Sequence, residues 1–437
     1  MQYKKGETIN FEGGKLEILD LLGEGGQGEV YLVRYNEKEY AFKCYKEIES
    51  DDFKFNLKEN IKNGSPSDSF LWPKFLVDLP NNKFGYLMDL RPNNFKSFIS
   101  YLNGKTVFKD QQTLITWCIN LCIAFKKLHE RGYSYQDLND GSFFLDSDTA
   151  DLLICDNDNV TADKMNLGIL GKMRYMAPEI VRGDKIKDGS VQMPDIHSDR
   201  FSLAVILFMA LCLGQPFEGE RLKNYILLDN QAEYELFGDN PIFIYHKLDK
   251  SNRPIRGYHS SVLKRWPYLP IYIKEAFHKT FVDGLVDREN GRVVEIEWLK
   301  LLTKYRDEII SCGCGCSFIY GLEEKKRNLC CPSCNSKVDK CFILKIGKQR
   351  IVLEPGKYLY ETHMDKYSSQ YNKKVGKIIR NKNNPNLWGI MLRLDNDVEI
   401  MDSNGKTKII NKDSVIPLID GLIIKFSEKV KGEINYE

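Results

Sequence analysis

The chain has 437 residues, 42% of them hydrophobic and 28% charged, with a formal net charge of +2. That length exceeds one ordinary core, so two or three folded domains are expected. The balanced charge excludes a global field that would draw the protein to nucleic acid or membrane, so neither is expected as a partner. Residues 1–10 carry lysine and glutamate but no apolar run, so no signal peptide is read there. The longest apolar stretch, 203–213, is shorter than the roughly 20 residues that span a bilayer. A soluble, cytoplasmic protein is expected.

Residues 15–44 alternate as strand, glycine-rich turn, strand, polar turn at 36–38 and strand. A helical period follows over 52–62, and 86–90 reads as an apolar strand that ends in a polar hinge, 91–94. Gly23-Glu24-Gly25-Gly26-Gln27-Gly28-Glu29-Val30 fits G-x-G-x-x-G-x-V, in which missing side chains let backbone N–H groups approach phosphates. In a dinucleotide fold such glycines open a helix. Here 30–35 alternates like a strand and turns back into 40–44, which excludes that fold. The returning strand carries Ala41-Phe42-Lys43, resembling the V-A-I-K strand whose lysine contacts the α- and β-phosphates of ATP. That lysine needs a carboxylate on the following helix; Glu59 is the expected partner, with Glu47 and Glu49 as rivals.

Beyond the hinge the period is mainly helical (112–130, 199–213, 298–305), interrupted by short strands near 142–145 and 152–155. Tyr135-Gln136-Asp137-Leu138-Asn139-Asp140-Gly141-Ser142 and then Cys155-Asp156-Asn157-Asp158 supply two carboxylates in order, one for an acceptor hydroxyl and one for Mg²⁺. The two runs resemble the H-R-D-L-x-x-x-N catalytic loop and D-F-G metal motif of eukaryotic-type (Hanks-type) protein kinases. Further matches follow in order. Gly171 to Glu179, ending in Ala177-Pro178-Glu179, looks like the end of an activation segment, and Asp199-Arg200-Phe201-Ser202 opens the apolar run as the buried central helix of these kinases does. Arg292 stands where they place the arginine that pairs with the A-P-E glutamate, here Glu179. The resemblance covers about residues 15–308, and the Cys-Asp-Asn-Asp-Asn string with the cysteine-rich tail resembles a bacterial subgroup.

The resemblance implies an α+β bilobal protein-kinase fold, with an N-lobe over 1–90 and a C-lobe over 91–309, that transfers the γ-phosphoryl of ATP to Ser/Thr hydroxyls of protein substrates. It implies ATP under Gly23, Gly25 and Gly28, with Leu22, Val30, Ala41 and Phe144 around adenine, Met88 as gatekeeper and Asp89 to Arg91 as hinge. Lys43 and Glu59 would orient phosphates, Asp156 and Ser142 would hold Mg²⁺ (or Mn²⁺), and Asp137 would position the acceptor hydroxyl. Several positions depart from the pattern. Ser142 replaces the asparagine that holds a second Mg²⁺, and Asn139 replaces the catalytic-loop lysine. Lys172, in place of a threonine, is expected to supply the missing cation at the γ-phosphate. Gln136 replaces the arginine that reads a phosphorylated segment, and Thr161 is the one Ser or Thr between Asp156 and Glu179, so control by phosphorylation there is not expected. Asn157 replaces a phenylalanine, making an apolar contact polar, and Asp158 replaces a glycine at a position where Asp tolerates positive φ. Ser142, Asn139 and Asn157 support an alternative, a pseudokinase scaffold that binds nucleotide and partners with little or no turnover. A small-molecule phosphotransferase fits less well with the Ala177-Pro178-Glu179 segment.

Cys44, Cys118, Cys122, Cys155 and Cys212 scatter through apolar segments as small buried hydrophobes. Cys331-Pro332-Ser333-Cys334 instead faces Cys312, Cys314 and Cys316 across a basic loop. The last two thiolates with two of the first three would bind a structural Zn²⁺ in a ribbon over 310–343. Residues 344–437 read as a β-sandwich, with short strands such as 350–353, 389–394 and 415–419. Ile400 to Thr407 is similar to the D-x-S-x-N-G-T run of forkhead-associated (FHA) domains, which bind phosphothreonine peptides; this implies a phosphoprotein partner. Its Asn-Gly is also the commonest hairpin turn signal, and no counterpart of a Ser-x-x-His phosphate pocket is found.

Overall fold

Alternation between residues 15 and 45 yields strands, as a period of two requires. In the computed structural model, which describes residues 2–11, 13–165, 167, 171–321, 329–338, 340–394, 397–412 and 414–437, they belong to one antiparallel sheet. Its members are β1 (Thr8–Phe11), β2 (Gly14–Glu24), β3 (Gly28–Tyr35), β4 (Lys38–Tyr45), β5 (Phe75–Asp78) and β6 (Phe84–Met88), in the order β1-β2-β3-β4-β6-β5. β1 and β5 have four residues each, too few to show a period in sequence. Helix α1 (Asp51–Asn63) starts at Ser50, whose hydroxyl accepts from Phe53 N, and Asp51 and Asp52 complement its dipole. α1 buries Phe53, Leu57 and Asn60.

The α-rich part centres on α2 (Ile196–Cys212), which opens with a reciprocal Asp195/Ser198 capping box. Every residue of α2 from Ser198 to Cys212 except Arg200 is buried, so it shows no polar face and is enclosed by protein. Among the described residues no helix is long and apolar enough to cross a membrane. The segments that carry Asp137 and Asp156 are joined by a short hairpin, where Phe143–Leu145 pairs with Leu152–Ile154 so that Phe143 faces Ile154.

The chain forms two compact units. One comprises Met1–Lys109, Asn120–Trp266 and Glu275–Ile296, the other Asp110–Ile119, Pro267–Lys274 and Glu297–Glu437. In the second unit, the cysteine hairpin (Ile309–Ser311 with Ser317–Ile319) leads into two antiparallel sheets. Their strands are β7 (Phe342–Ile346), β8 (Gln349–Leu353), β9 (Tyr358–Tyr360), β10 (Lys374–Arg380), β11 (Trp388–Leu392), β12 (Val398–Met401), β13 (Thr407–Ile410), β14 (Val415–Pro417), β15 (Ile423–Lys425) and β16 (Lys431–Tyr436). One sheet runs β8-β7-β16-β15-β12-β13 and the other β9-β10-β11-β14. Leu344, Leu353 and Ile434 of the first and Leu359, Ile378, Ile390 and Ile416 of the second enter one hydrophobic core. The Asp402 carboxylate closes the β12–β13 turn by accepting from Asn404 N (3.0 Å) and Lys406 N (2.9 Å).

Candidate active site

The glycine run is a β2–β3 hairpin closed by Gly25 N donating to Gly28 O at 2.9 Å. At Gly28 a Cβ would stand 2.4 Å from the Cys44 carbonyl oxygen, so this glycine is required by the close approach of β4, whereas Gly23 and Gly26 face open space. Strand register sets Val30 opposite Lys43, Lys43 opposite Tyr86 and Ala41 opposite Met88. Val30, Ala41 and Met88 thereby share an apolar cluster with Leu153 and Cys155. Leu22 lies half exposed at the rim, and Phe144 is partly buried with the Arg91 guanidinium 4.0 Å from its ring centroid. Asp89 ion-pairs with Lys74 (2.5 Å) and Lys38 (3.4 Å), which engages its carboxylate outside the cleft.

Lys43 is buried, but its partner is not on α1. Its Nζ lies 2.7 Å from Asp158 Oδ2 and 3.7 Å from Asp156 Oδ1. Burial opposes the ammonium charge, yet Asp158 and Asp156 outweigh it and raise the Lys43 pKa. Glu59, the expected partner, instead pairs with Lys62 on the surface at 3.5 Å. The inward face of α1 carries amides: Asn56 and Asn60 each donate to Val160 O (2.9 and 2.8 Å), and Trp72 Nε1 donates to Asn60 O at 2.8 Å. Glu59 is turned off that face. The rival Glu49 feels both Lys43 and Asp158, and its carboxyl is pushed up by burial and by Asp158.

The loop that carries Asp137 hangs from α2. Asp199 accepts from Tyr135 N (2.6 Å) and Gln136 N (3.1 Å), and His129 bridges Asp199 (3.1 Å) and Glu295 (2.9 Å). Burial resists the His129 charge, but hydrogen bonds to both carboxylates raise its pKa to about 9. Gln136 sits at φ +72° and donates to Ser134 Oγ (3.2 Å), to the Thr161 hydroxyl and to the Met165 carbonyl. Thr161, fully buried, is therefore occupied by the residue that replaces the phosphate-reading arginine. Asp137 accepts from Asn139 Nδ2 at 3.1 Å, and burial raises its pKa against the pull of Asn139 and Lys172. Lys172 Nζ lies 3.3 Å from Asn139 Oδ1 and 3.6 Å from Asp140 Oδ1.

The Phe143–Ile154 register, continued by Cys155 N donating to Ser142 O at 2.8 Å, sets Ser142 opposite Cys155, the residue before Asp156. Asp156 adopts a left-handed conformation (φ +55°) with its side chain half exposed. Ser142 is fully buried, and its Oγ lacks a hydrogen bond of good geometry, with the Tyr135 phenol as polar neighbour. A half-exposed carboxylate beside a buried, underused hydroxyl is a donor set that fits a hard divalent cation. Asn157 turns inward and donates to Leu71 O and Ile154 O, both at 2.9 Å, so the polar contact expected there is a double tie to backbone. Asp158 is not among the positive-φ residues; its side chain is directed into the protein instead. Further out, Arg292 donates bidentately to Glu179 at 2.8 and 2.7 Å.

This order of hairpin, lysine, catalytic loop and carboxylate coincides with a match of residues 16–282 to the family described as "Protein kinase domain". The chain belongs to the protein kinase family. Similar curated proteins include ribosomal protein S6 kinase alpha-2 of Homo sapiens (25% identical over 231 residues, 50% of this chain and 30% of that protein). Another is cGMP-dependent protein kinase 2 of Rattus norvegicus (29% over 227 residues, 49% and 28%). A third is a putative protein kinase C delta type homolog of Drosophila melanogaster (25% over 220 residues, 48% and 31%). The chain spans less than a third of the length of these relatives.

Outside this kinase domain, the cysteines divide. Cys312, Cys314, Cys331 and Cys334 bring their sulfurs within 4.8 Å of one another. Two tight turns hold them: Cys312 N donates to Cys316 O (2.8 Å) across a left-handed Gly315, and Cys331 N donates to Ser336 O (2.9 Å). Hydrogen bonds with Ser336 bring the exposed Cys334 thiol down to about 6. Cys316 is not one of these four; it packs near Cys331 and directs its Sγ to Ser317 O at 3.8 Å. The basic loop between the two knuckles falls outside the described residues. What sequence reasoning missed is the Asp158 site with Tyr45 and Tyr86. Its sequence signal is Lys43-x-Tyr45, two polar tips on one strand face.

Proposed function

We propose that this member of the kinase family is an ATP-dependent serine/threonine protein kinase that works in the cytoplasm without phosphorylation of its activation segment. The observation that carries this reading is the convergence of Lys43, Asp156 and the Asp137 loop at the mouth of the glycine hairpin. Leu22, Val30, Ala41, Met88 and Phe144 would enclose adenine, with the 89–91 backbone as hinge. Lys43 would hold the α- and β-phosphate oxygens, and the N–H groups of 23–28 would cover them. Asp156 and Ser142 would hold Mg²⁺ or Mn²⁺, which supplies charge neutralisation between phosphates. Asp137 would accept the proton of a Ser or Thr hydroxyl, and Lys172 would face the transferring group in place of the absent catalytic-loop lysine. The Gln136 contacts to Thr161 and Met165 support a hold on those two residues that needs no phosphate.

The four converging sulfurs support a structural Zn²⁺ held by Cys312, Cys314, Cys331 and Cys334. We read the tail as an FHA-like β-sandwich for protein contact, and the Cys155-Asp156-Asn157-Asp158-Asn159 string as the mark of a bacterial subgroup. Ser142, a shorter ligand arm than asparagine, favours one second reading, a nucleotide-binding scaffold. Labelled ATP with Mg²⁺ or Mn²⁺ separates the two: transfer to itself or to a general protein acceptor that disappears in Asp137→Ala is expected. Nucleotide binding without any transfer would select the scaffold.

A further inference from the structure

Asp158 occupies a place that phosphate chemistry does not explain. Its carboxylate is fully buried and receives three donors: Lys43 Nζ at 2.7 Å, Tyr45 Oη at 2.6 Å and Tyr86 Oη at 3.2 Å. The donors are delivered by strand geometry, since Lys43 and Tyr45 are two residues apart on one face of β4 and Tyr86 stands directly opposite Lys43 on β6. This carboxylate is thus engaged by a cation and two phenols inside the protein. Asp156, two residues earlier, keeps its side chain half exposed.

We propose that Asp158 is the positioning residue for Lys43, taking over from α1 the task of holding the ammonium where phosphate oxygens arrive. The consequence is mechanical. A lysine held by a helix carboxylate loses its partner when the helix swings; Lys43 is held by the segment that also carries the metal carboxylate Asp156, so lysine and metal ligand are set as one piece. α1 contributes instead through the amides of Asn56 and Asn60, which tie it to Val160 just beyond Asp158. Charges agree with this assignment: burial opposes both ions, yet their mutual attraction keeps the Lys43 pKa raised and the Asp158 pKa lowered. Both phenols remain protonated donors, since burial and Asp158 raise their pKa values.

This rests on the kinase reading for its effect on turnover, but not for its effect on binding. MgATP affinity is measured by calorimetry for the full chain and for Asp158→Asn, Lys43→Met, the double variant and Glu59→Gln, with transfer assayed in parallel. Asp158→Asn is expected to weaken MgATP binding about a hundredfold, the scale of breaking a buried charge pair. The double variant should be no weaker than Lys43→Met alone, because Asp158 acts through Lys43. Glu59→Gln should bind like the parent. Full loss on Glu59→Gln, parental affinity of Asp158→Asn, or additive losses in the double variant would each overturn the proposal. If Asp158→Asn does not fold, Tyr45→Phe replaces it, expected to weaken binding about fivefold by removing one donor from the anion; parental affinity there would equally overturn it. A parent that binds MgATP without transfer would defeat the proposed activity and leave this test intact.

Discussion

At the scale of single residues, Lys172 is the substitution whose consequence is easiest to isolate. It sets an exposed ammonium beside Asn139 and Asp140. A cation placed at the γ-phosphate acts on the transition state more than on bound ATP. Lys172→Met is therefore expected to lower kcat by about 10- to 100-fold while the KM for ATP moves less than about threefold. Steady-state kinetics checks this; an equal change in both parameters would place Lys172 in ground-state binding. Lys172 and Asp137 are singled out in sequence by local spacing alone, and the roles expected of them are what such kinetics tests. The Lys43 partner was not, because the pair closes across 115 positions and three candidate carboxylates, Glu47, Glu49 and Glu59, lie nearer in sequence. Nothing in the Glu59 neighbourhood signals that α1 turns amides inward; only the position of Val160 decides it.

Among the elements, strands with clear alternation and helices with a full apolar stripe were legible, and the four-residue β1 and β5 were not. The cysteine turns show a finer version of the same limit. Spacing alone leaves Cys312, Cys314 and Cys316 equivalent, since each is within reach of the second knuckle. The left-handed Gly315 and the Cys312–Cys316 backbone bond break the equivalence and direct Cys316 to Ser317 O. One zinc per chain is expected by elemental analysis, lost in Cys314→Ser and retained in Cys316→Ser. Chelation should lower the unfolding midpoint of the parent and of Cys316→Ser but leave Cys314→Ser unmoved, because metal binding is coupled to folding of the hairpins. Zinc retained by Cys314→Ser and lost by Cys316→Ser would reverse the ligand assignment.

For the whole molecule, the question is where the kinase ends. The helix Glu295–Glu308 continues into the second unit, and its last turn is satisfied from the tail. Buried Lys357 donates to the carbonyls of Asp307 (3.1 Å) and Ile309 (2.7 Å), and His363 meets the Asp307 carboxylate at 3.1 Å. Buried Arg306 donates to Asn372 Oδ1 (2.6 Å) and to the Tyr371 carbonyl (2.9 Å), its guanidinium 3.5 Å from the Tyr360 ring centroid. Orphan carbonyls at a helix C-terminus need such partners, and a buried charge stripped of its pair is among the costlier defects. A chain ending at residue 309 leaves Arg306 and Asp307 without these groups, a loss of about 3–5 kcal/mol if no water replaces them. Its thermal midpoint is expected about 5–10 °C below that of the full chain, measured under matched conditions. An equal midpoint would mean that solvent serves this helix end as well as Lys357, His363 and Tyr360 do. A lower one means that the tail groups Lys357, His363 and Tyr360 stabilise the end of the helix Glu295–Glu308 beyond what solvent supplies.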